Sequence, residues 1–224
     1  MYNIDFSILL KDYKIILNGV YMTIFISIMA SLLAFLVGTF FVYFRTSPLK
    51  FIQRVIDFLI NCVRNTPLLI IIYLFYNGLP AIGIVFPSVI CGILALGIYT
   101  GAYISDAILS GINAIPCEHT QAAKALGLKR VQTFFYVIYP QALRNSIFVL
   151  GSQFMNLIKN SSLVSFIAVT DVFYVIYKGI ADSYKIYEYF ILAIIIYCCL
   201  TGFTLFITNV FQKIYKIPTQ EVRA

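Results

Sequence analysis

The stretch Gln121-Ala-Ala-Lys-Ala-Leu-Gly127, closed by Tyr139-Pro140-Gln141-Ala142, is the most informative part of this chain. It reads as a short helix of small residues with charges, set between long apolar runs. Pro116 suits a first helical position, where its missing N–H is not needed. Glu118 favours the positive N-terminal end of the helix dipole. Gly127 ends the helix. Ala122, Ala125 and Leu126 share one face, and small alanines let another surface approach closely. Either a cytoplasmic partner grips this helix or it packs on its own bundle; the local pattern alone allows both.

The surroundings are those of a membrane protein. The 224 residues are 61% hydrophobic and only 11% charged, with a mean hydropathy of +0.92. A soluble domain carries roughly 25% charged residues. So much apolar surface does not fit around one aqueous core, and the chain reads as an all-α integral membrane protein. The net charge of +7 belongs to loops and follows the positive-inside bias. Aromatic and basic residues do not interleave as a nucleic-acid groove requires, so no nucleic acid is expected. Cys62, Cys91, Cys117, Cys198 and Cys199 are odd in number and mostly inside apolar runs. They read as polarizable filler in helices, without disulfide or metal spacing. His119 is the sole histidine, and no metal site is expected. Asp5 and Asp12 precede the first apolar run at Ile15, which is not the pattern of a cleavable signal.

A bilayer core of ~30 Å needs about 20 helical residues. On that measure the spans fall near 15–44, 52–76, 87–105, 140–159 and 189–212, with a cytoplasmic loop over about 106–139. A short helix or re-entrant piece is expected around 163–177. Five spans put the termini on opposite sides. Arg45, Lys50, Arg54, Lys124, Lys129, Arg130, Arg144, Lys213, Lys216 and Arg223 face one side, against Lys11, Lys14, Lys178 and Lys185 on the other. The richer side is cytoplasmic and the N-terminus outside. Nothing marks a second domain, so 1–224 reads as one transmembrane unit.

The chain shows no catalytic constellation: no phosphate loop ending in Lys-Ser or Lys-Thr and no paired Ser, His and Asp. No catalytic residue is assigned. Arg64 and Lys159 are intramembrane cations, able to hold a substrate carboxylate or to pair with Asp57, Asp106 or a backbone carbonyl. Pro67 removes the helix hydrogen bond to the Val63 carbonyl, leaving either a polar notch or a packing kink. Gly97, Gly101 and Ser105 repeat at four-residue steps. That stripe fits a subunit interface or a helix crossing.

The ordered motifs resemble the permeases of ABC importers. Their cytoplasmic signature is Glu-Ala-Ala, three residues, Gly, nine residues, Ile, one residue, Leu-Pro. This chain has Gln121-Ala122-Ala123, Gly127, Val137 and Tyr139-Pro140 at that spacing. Arg64-Asn65-Thr66-Pro67-Leu68-Leu69, Ala102-Tyr103-Ile104-Ser105-Asp106, Pro140-Gln141-Ala142 and Lys159-Asn160-Ser161-Ser162-Leu163 are similar to segments of the polar amino-acid subfamily. The chain departs from the pattern at Gln121 (usually Glu), Glu118-His119 (usually Gly-Gln), Leu109 (often Arg) and Asn160 (an acid). A neutral amide at Gln121 loses a charge-assisted contact. The resemblance implies a type I ABC importer permease with five transmembrane helices and a cytoplasmic coupling helix, in a bacterial cytoplasmic (inner) membrane. It implies ATPase docking through Gln121, Ala122, Ala123, Lys124, Ala125, Leu126 and Gly127. Arg64, Thr66, Pro67, Tyr103, Lys159, Ser161 and Ser162 are then candidates for the substrate path. The implied partners are ABC ATPase subunits, a second permease subunit, identical or homologous, an extracytoplasmic solute-binding protein and an amino-acid substrate, all in a lipid bilayer. This chain is then a transport subunit and not an enzyme. No cofactor is expected in it, because ATP and Mg bind the ATPase. The alternative is a stand-alone channel or secondary carrier for small solutes, which needs no docking helix.

Overall fold

The structure, a computed structural model, describes residues 7 and 11–215. Asp5, Lys216, Arg223 and the N-terminus itself, all used in the sequence reading, lie outside them. Uninterrupted apolar sequence gives the first helix, α1 (Tyr13–Arg45), about 50 Å long at 1.5 Å per residue. A turn leads to α2 (Lys50–Asn65) and α3 (Leu68–Tyr73), the latter continued by a π-helical turn at Leu74–Gly78 and a 3-10 turn at Leu79–Ile82. Next come α4 (Ser88–Asn113), the short α5 (Cys117–Ala125) and α6 (Arg130–Gln132). A π-helical turn at Thr133–Ile138 leads into α7 (Tyr139–Asn160). After a 3-10 turn at Ser161–Ile167 follow α8 (Val172–Ser183) and α9 (Ile186–Ile214). Helices α1, α4 and α9 are each long and apolar enough to cross a bilayer, and two bent pairs bring the candidate crossings to five.

Helices α1 and α4 form the spine. Their contacts rise together in sequence, Leu33 with Gly97, Val37 with Gly101 and Ile104 with Gly38, so the two run parallel. A Cβ at Gly38 would come within 2.5 Å of the Ile104 Cγ2 and 3.0 Å of the Gly101 carbonyl. The stripe at Gly97, Gly101 and Ser105 is therefore a helix crossing within the chain, the arrangement that lets backbones approach in a membrane. Helix α7 packs antiparallel on α4, with the Ser146 hydroxyl donating to the Ala107 carbonyl at 2.7 Å. Helix α9 lies outside α7, Thr208 against Gly151. Helix α8 lies along the first half of α1, where the Val172 N–H donates to the Thr23 hydroxyl at 3.0 Å.

The structure departs from the expected boundaries in two places. The single span read over 52–76 is broken at Thr66–Pro67, with a bend of 102° between its halves. Proline cannot donate, and it drives the preceding residue out of the helical region; Thr66 is extended at φ −96°, ψ 129°. Polar residues add to the break. Lys50, Arg54, Asp57, Asn61 and Arg64 recur at three- and four-residue steps along α2. Ile56 and Ile60 are buried against Ala102, Phe41 and Phe44. The third span, read as ending at 105, continues to Asn113, because no breaker precedes Pro116. Asp106 is therefore helical and not in the loop. The irregular segment expected around 163–177 is the 3-10 turn and α8.

The crossing predicts that Gly38→Val lowers stability by about 1–3 kcal/mol through overpacking. Gly202→Ala, with no neighbour within 4 Å of a new Cβ, leaves it unchanged. Thermal denaturation of the detergent-solubilised protein distinguishes the two; equal melting temperatures would contradict the crossing.

Candidate functional site

Three neighbourhoods hold the residues singled out from the sequence. The first is α5. Glu118 lies in its first turn and Lys124 in its last, each favourable to the helix dipole. The helix ends in a Schellman turn. The Leu128 N–H donates to the Ala123 carbonyl at 3.1 Å and the Gly127 N–H to the Lys124 carbonyl at 2.9 Å. Gly127 occupies the left-handed region at φ +74°, which glycine adopts without strain. Gln121, Ala122, Lys124, Ala125 and Gly127 are exposed, and Leu126 is 81% exposed. Ala123 is not on that surface. It is 3% exposed, and α5 packs on the π turn at Thr133–Ile138. Of the residues expected to dock, Ala123 alone rests on the chain's own bundle, as one face of so short a helix must.

The second is a charge cluster where α1, α2 and α4 meet. Arg45 Nε donates to Asp57 at 2.7 Å and its Nη1 to Asp106 at 2.5 Å. Arg64 pairs with the other oxygen of Asp106. Its guanidinium lies 5.0 Å from the centre of the Tyr103 ring, a cation–π contact. Tyr99 and Tyr103 hydroxyls are 3.3 Å apart. Asp106 thus serves two arginines. Arg45 was read only as a loop charge, and its role here was missed. The helical extension of α4 to Asp106 is what brings it into reach. Arg64 and Tyr103, both assigned to the substrate path, are brought together, with the guanidinium already engaged by a carboxylate.

The third is the end of α7. The Ser161 hydroxyl donates to the Ile158 carbonyl at 2.8 Å and that of Ser162 to the Lys159 carbonyl at 2.8 Å. Ser161 is fully buried and holds the start of the 3-10 turn through this hydrogen bond. Thr66 similarly donates to the Cys62 carbonyl at 2.8 Å. Lys159 is exposed and, among the described residues, forms no ion pair. Asn145, Ser152 and Asn156 lie on the same stripe, with Asn145 and Asn156 exposed and Ser152 half-buried. Sequence reading missed Ser152 and Asn156; Asn156 three residues before Lys159, and Ser152 four before Asn156, was the available signal. Among the described residues no hydrogen bond or ion pair joins Lys159 to Arg64. The 3-10 turn after Lys159 nevertheless packs against α3.

Comparison with known proteins places these features in context. The family model for the binding-protein-dependent transport system inner membrane component matches residues 30–216. The chain is 32% identical to the probable glutamine ABC transporter permease protein GlnM of Bacillus subtilis, covering 87% of this chain and 90% of that protein. It is 29% identical to the glutamate/aspartate import permease protein GltJ of Escherichia coli, over 90% and 87%. The crystal structure of an amino acid ABC transporter with histidines superposes with a TM-score of 0.84 at 30% identity, covering 95% of this chain and 99% of that one. The MetNI methionine ABC transporter, at 16% identity and a TM-score of 0.75, shares the fold.

The cluster orders two substitutions. Asp106→Ala strips both arginines of a partner and lowers stability by about 1–3 kcal/mol, less than the 3–5 of a fully buried pair because the site is partly wet. Asp57→Ala removes one contact from a carboxylate that is 46% exposed and costs under about 1 kcal/mol. Melting temperatures in the reverse order would contradict the cluster.

Proposed function

The chain belongs to the binding-protein-dependent transport system inner membrane component family, and from that premise we propose that it is the membrane-spanning permease of an ABC importer that moves polar amino acids, driven by separate ATPase subunits docked on α5. The observation that carries the docking is the exposed face of α5, fixed by the Schellman turn and ending in a fully projecting Leu126. Hydrocarbon does not favour such a polar helix, and water does not favour such a leucine. A protein partner suits both. ATP and Mg bind that partner, and this chain performs no chemistry. Two permease subunits, identical or homologous, enclose the path, and a solute-binding protein delivers substrate at the outer face.

The polar substrate class is supported by α7. A crossing helix that exposes Asn145, Asn156 and Lys159 lines water or a partner in preference to lipid. The relatives named for glutamine and for glutamate/aspartate agree with that class. Arg64 is a weaker carboxylate ligand than Lys159, because Asp106 already neutralises it. The deciding experiment is reconstitution of the chain with its ATPase and binding protein in liposomes, followed by ATP-dependent uptake of labelled polar amino acids. Uptake that proceeds without the ATPase would favour a stand-alone carrier.

Leu126→Asp, in that system, reduces ATPase co-purification by about tenfold or more, since a carboxylate buried without a partner costs several kcal/mol. Ala123→Asp instead lowers the melting temperature of the permease alone. Unchanged ATPase binding by Leu126→Asp would remove the docking assignment.

Lys159→Met abolishes uptake while leaving assembly and basal ATP hydrolysis intact, and Lys159→Arg recovers only part of the rate because the charge stays while its shape changes. Full uptake by Lys159→Met would show that the ammonium has no part in the path.

A further inference from the structure

Arg130 ties the docking region to the end of α1. Its guanidinium lies 4.6 Å from the centre of the Tyr43 ring and donates to the Tyr43 backbone carbonyl at 2.8 Å. Tyr43 in turn packs edge-on to Phe134 at 5.1 Å and stacks on Phe135 at 5.8 Å. One turn earlier in α1, the Thr39 and Tyr139 hydroxyls are 2.5 Å apart. The π turn that receives α5 is therefore clamped to the last turns of α1 by a charge, a ring stack and a hydrogen bond.

Beside α5 lies a cavity of about 430 Å³, bordered by Thr120 and Lys124 of α5, by Thr46 and Pro48 of the α1–α2 turn, and by Arg130 and Phe134 of the clamp itself. The main seat of α5 is the π turn, so displacement of α5 passes first into that turn. The covalent chain leads from α5 into α7, and the clamp is the branch that reaches α1.

We propose that Arg130 is a positioning residue that carries displacement of the docking helix into α1. From Tyr43 the displacement reaches α4 as well, because the glycine crossing makes α1 and α4 one body. Closure of the ATPases then moves α7 and the α1–α4 spine together. This rests on the reading of α5 as the ATPase-docking helix.

The test uses the reconstituted complex with ATPase and binding protein, reading uptake, ATP hydrolysis and ATPase co-purification separately. Arg130→Met lowers uptake about tenfold, in the range of typical coupling energies, while hydrolysis and co-purification stay at wild-type levels. Tyr43→Leu does the same. Tyr43→Phe transports normally, since neither contact uses the hydroxyl. Arg130→Lys keeps the charge but not the planar fork and falls between. Where Arg130→Met fails to accumulate, Arg130→Lys and Tyr43→Leu carry the test. Wild-type uptake by Arg130→Met, or a parallel fall in uptake, hydrolysis and co-purification, would overturn the proposal. Failure of the wild-type complex to retain its ATPase would instead strike the docking reading, and the proposal with it.

Discussion

The close approach of α1 and α4 is the constraint on which the rest depends. Three glycines bring the two backbones together with Ile104, Val37 and Leu33 filling the remaining space. In hydrocarbon there is no hydrophobic force to bring helices together, so contact area and backbone proximity supply the attraction. The crossing is parallel, which obliges the chain to travel back across the membrane between the two helices. It does so by a broken route, α2 and then α3, and not by a third straight rod. The same register places Arg45 level with Ser105 and Asp106. A packing requirement thus decides where the charges meet.

Charge placement follows a consistent logic. Near the C-terminal ends of α1 and α4, two arginines and two aspartates neutralise one another across three helices, so no member of the cluster is left unpaired. A lone ammonium inside a bilayer costs ~2.5–3.5 kcal/mol on insertion scales. Lys159, exposed and without an ionic partner among the described residues, incurs such a cost unless it faces water. The companions on its stripe are amides and a hydroxyl, which also favour water. Arg64 is paired with Asp106, whereas Lys159 is exposed without an ion pair among the described residues.

The surroundings of α5 are unevenly packed. Aromatic rings and Arg130 hold the π turn to the end of α1, and a cavity bordered by α5, the α1–α2 turn and that same π turn lies beside them. Such turns are frequent at functional sites. The buried Ala123 seats one face of α5, and the other face is exposed.

Much of this was legible in the order of residues. Hydropathy located α1, α7 and α9, and the start of α4, within a few positions, because a bilayer demands long apolar runs and allows little else. Pro116 and Gly127 bracketed α5 through local backbone chemistry that needs no tertiary context. The small-residue stripe in α4 was visible, but its partner was not, since the same pattern serves a subunit interface. Only the tertiary structure decided that α1 fills it, that Ala123 faces inward, and that Thr66 and Pro67 end a helix outright. It alone joined Arg45, Asp57, Asp106 and Arg64, residues that lie up to 61 positions apart. Local sequence sets what one helix can be, through propensity and hydropathy. Which face meets which neighbour depends on the packing of all of them at once, and that choice is not written in any single segment.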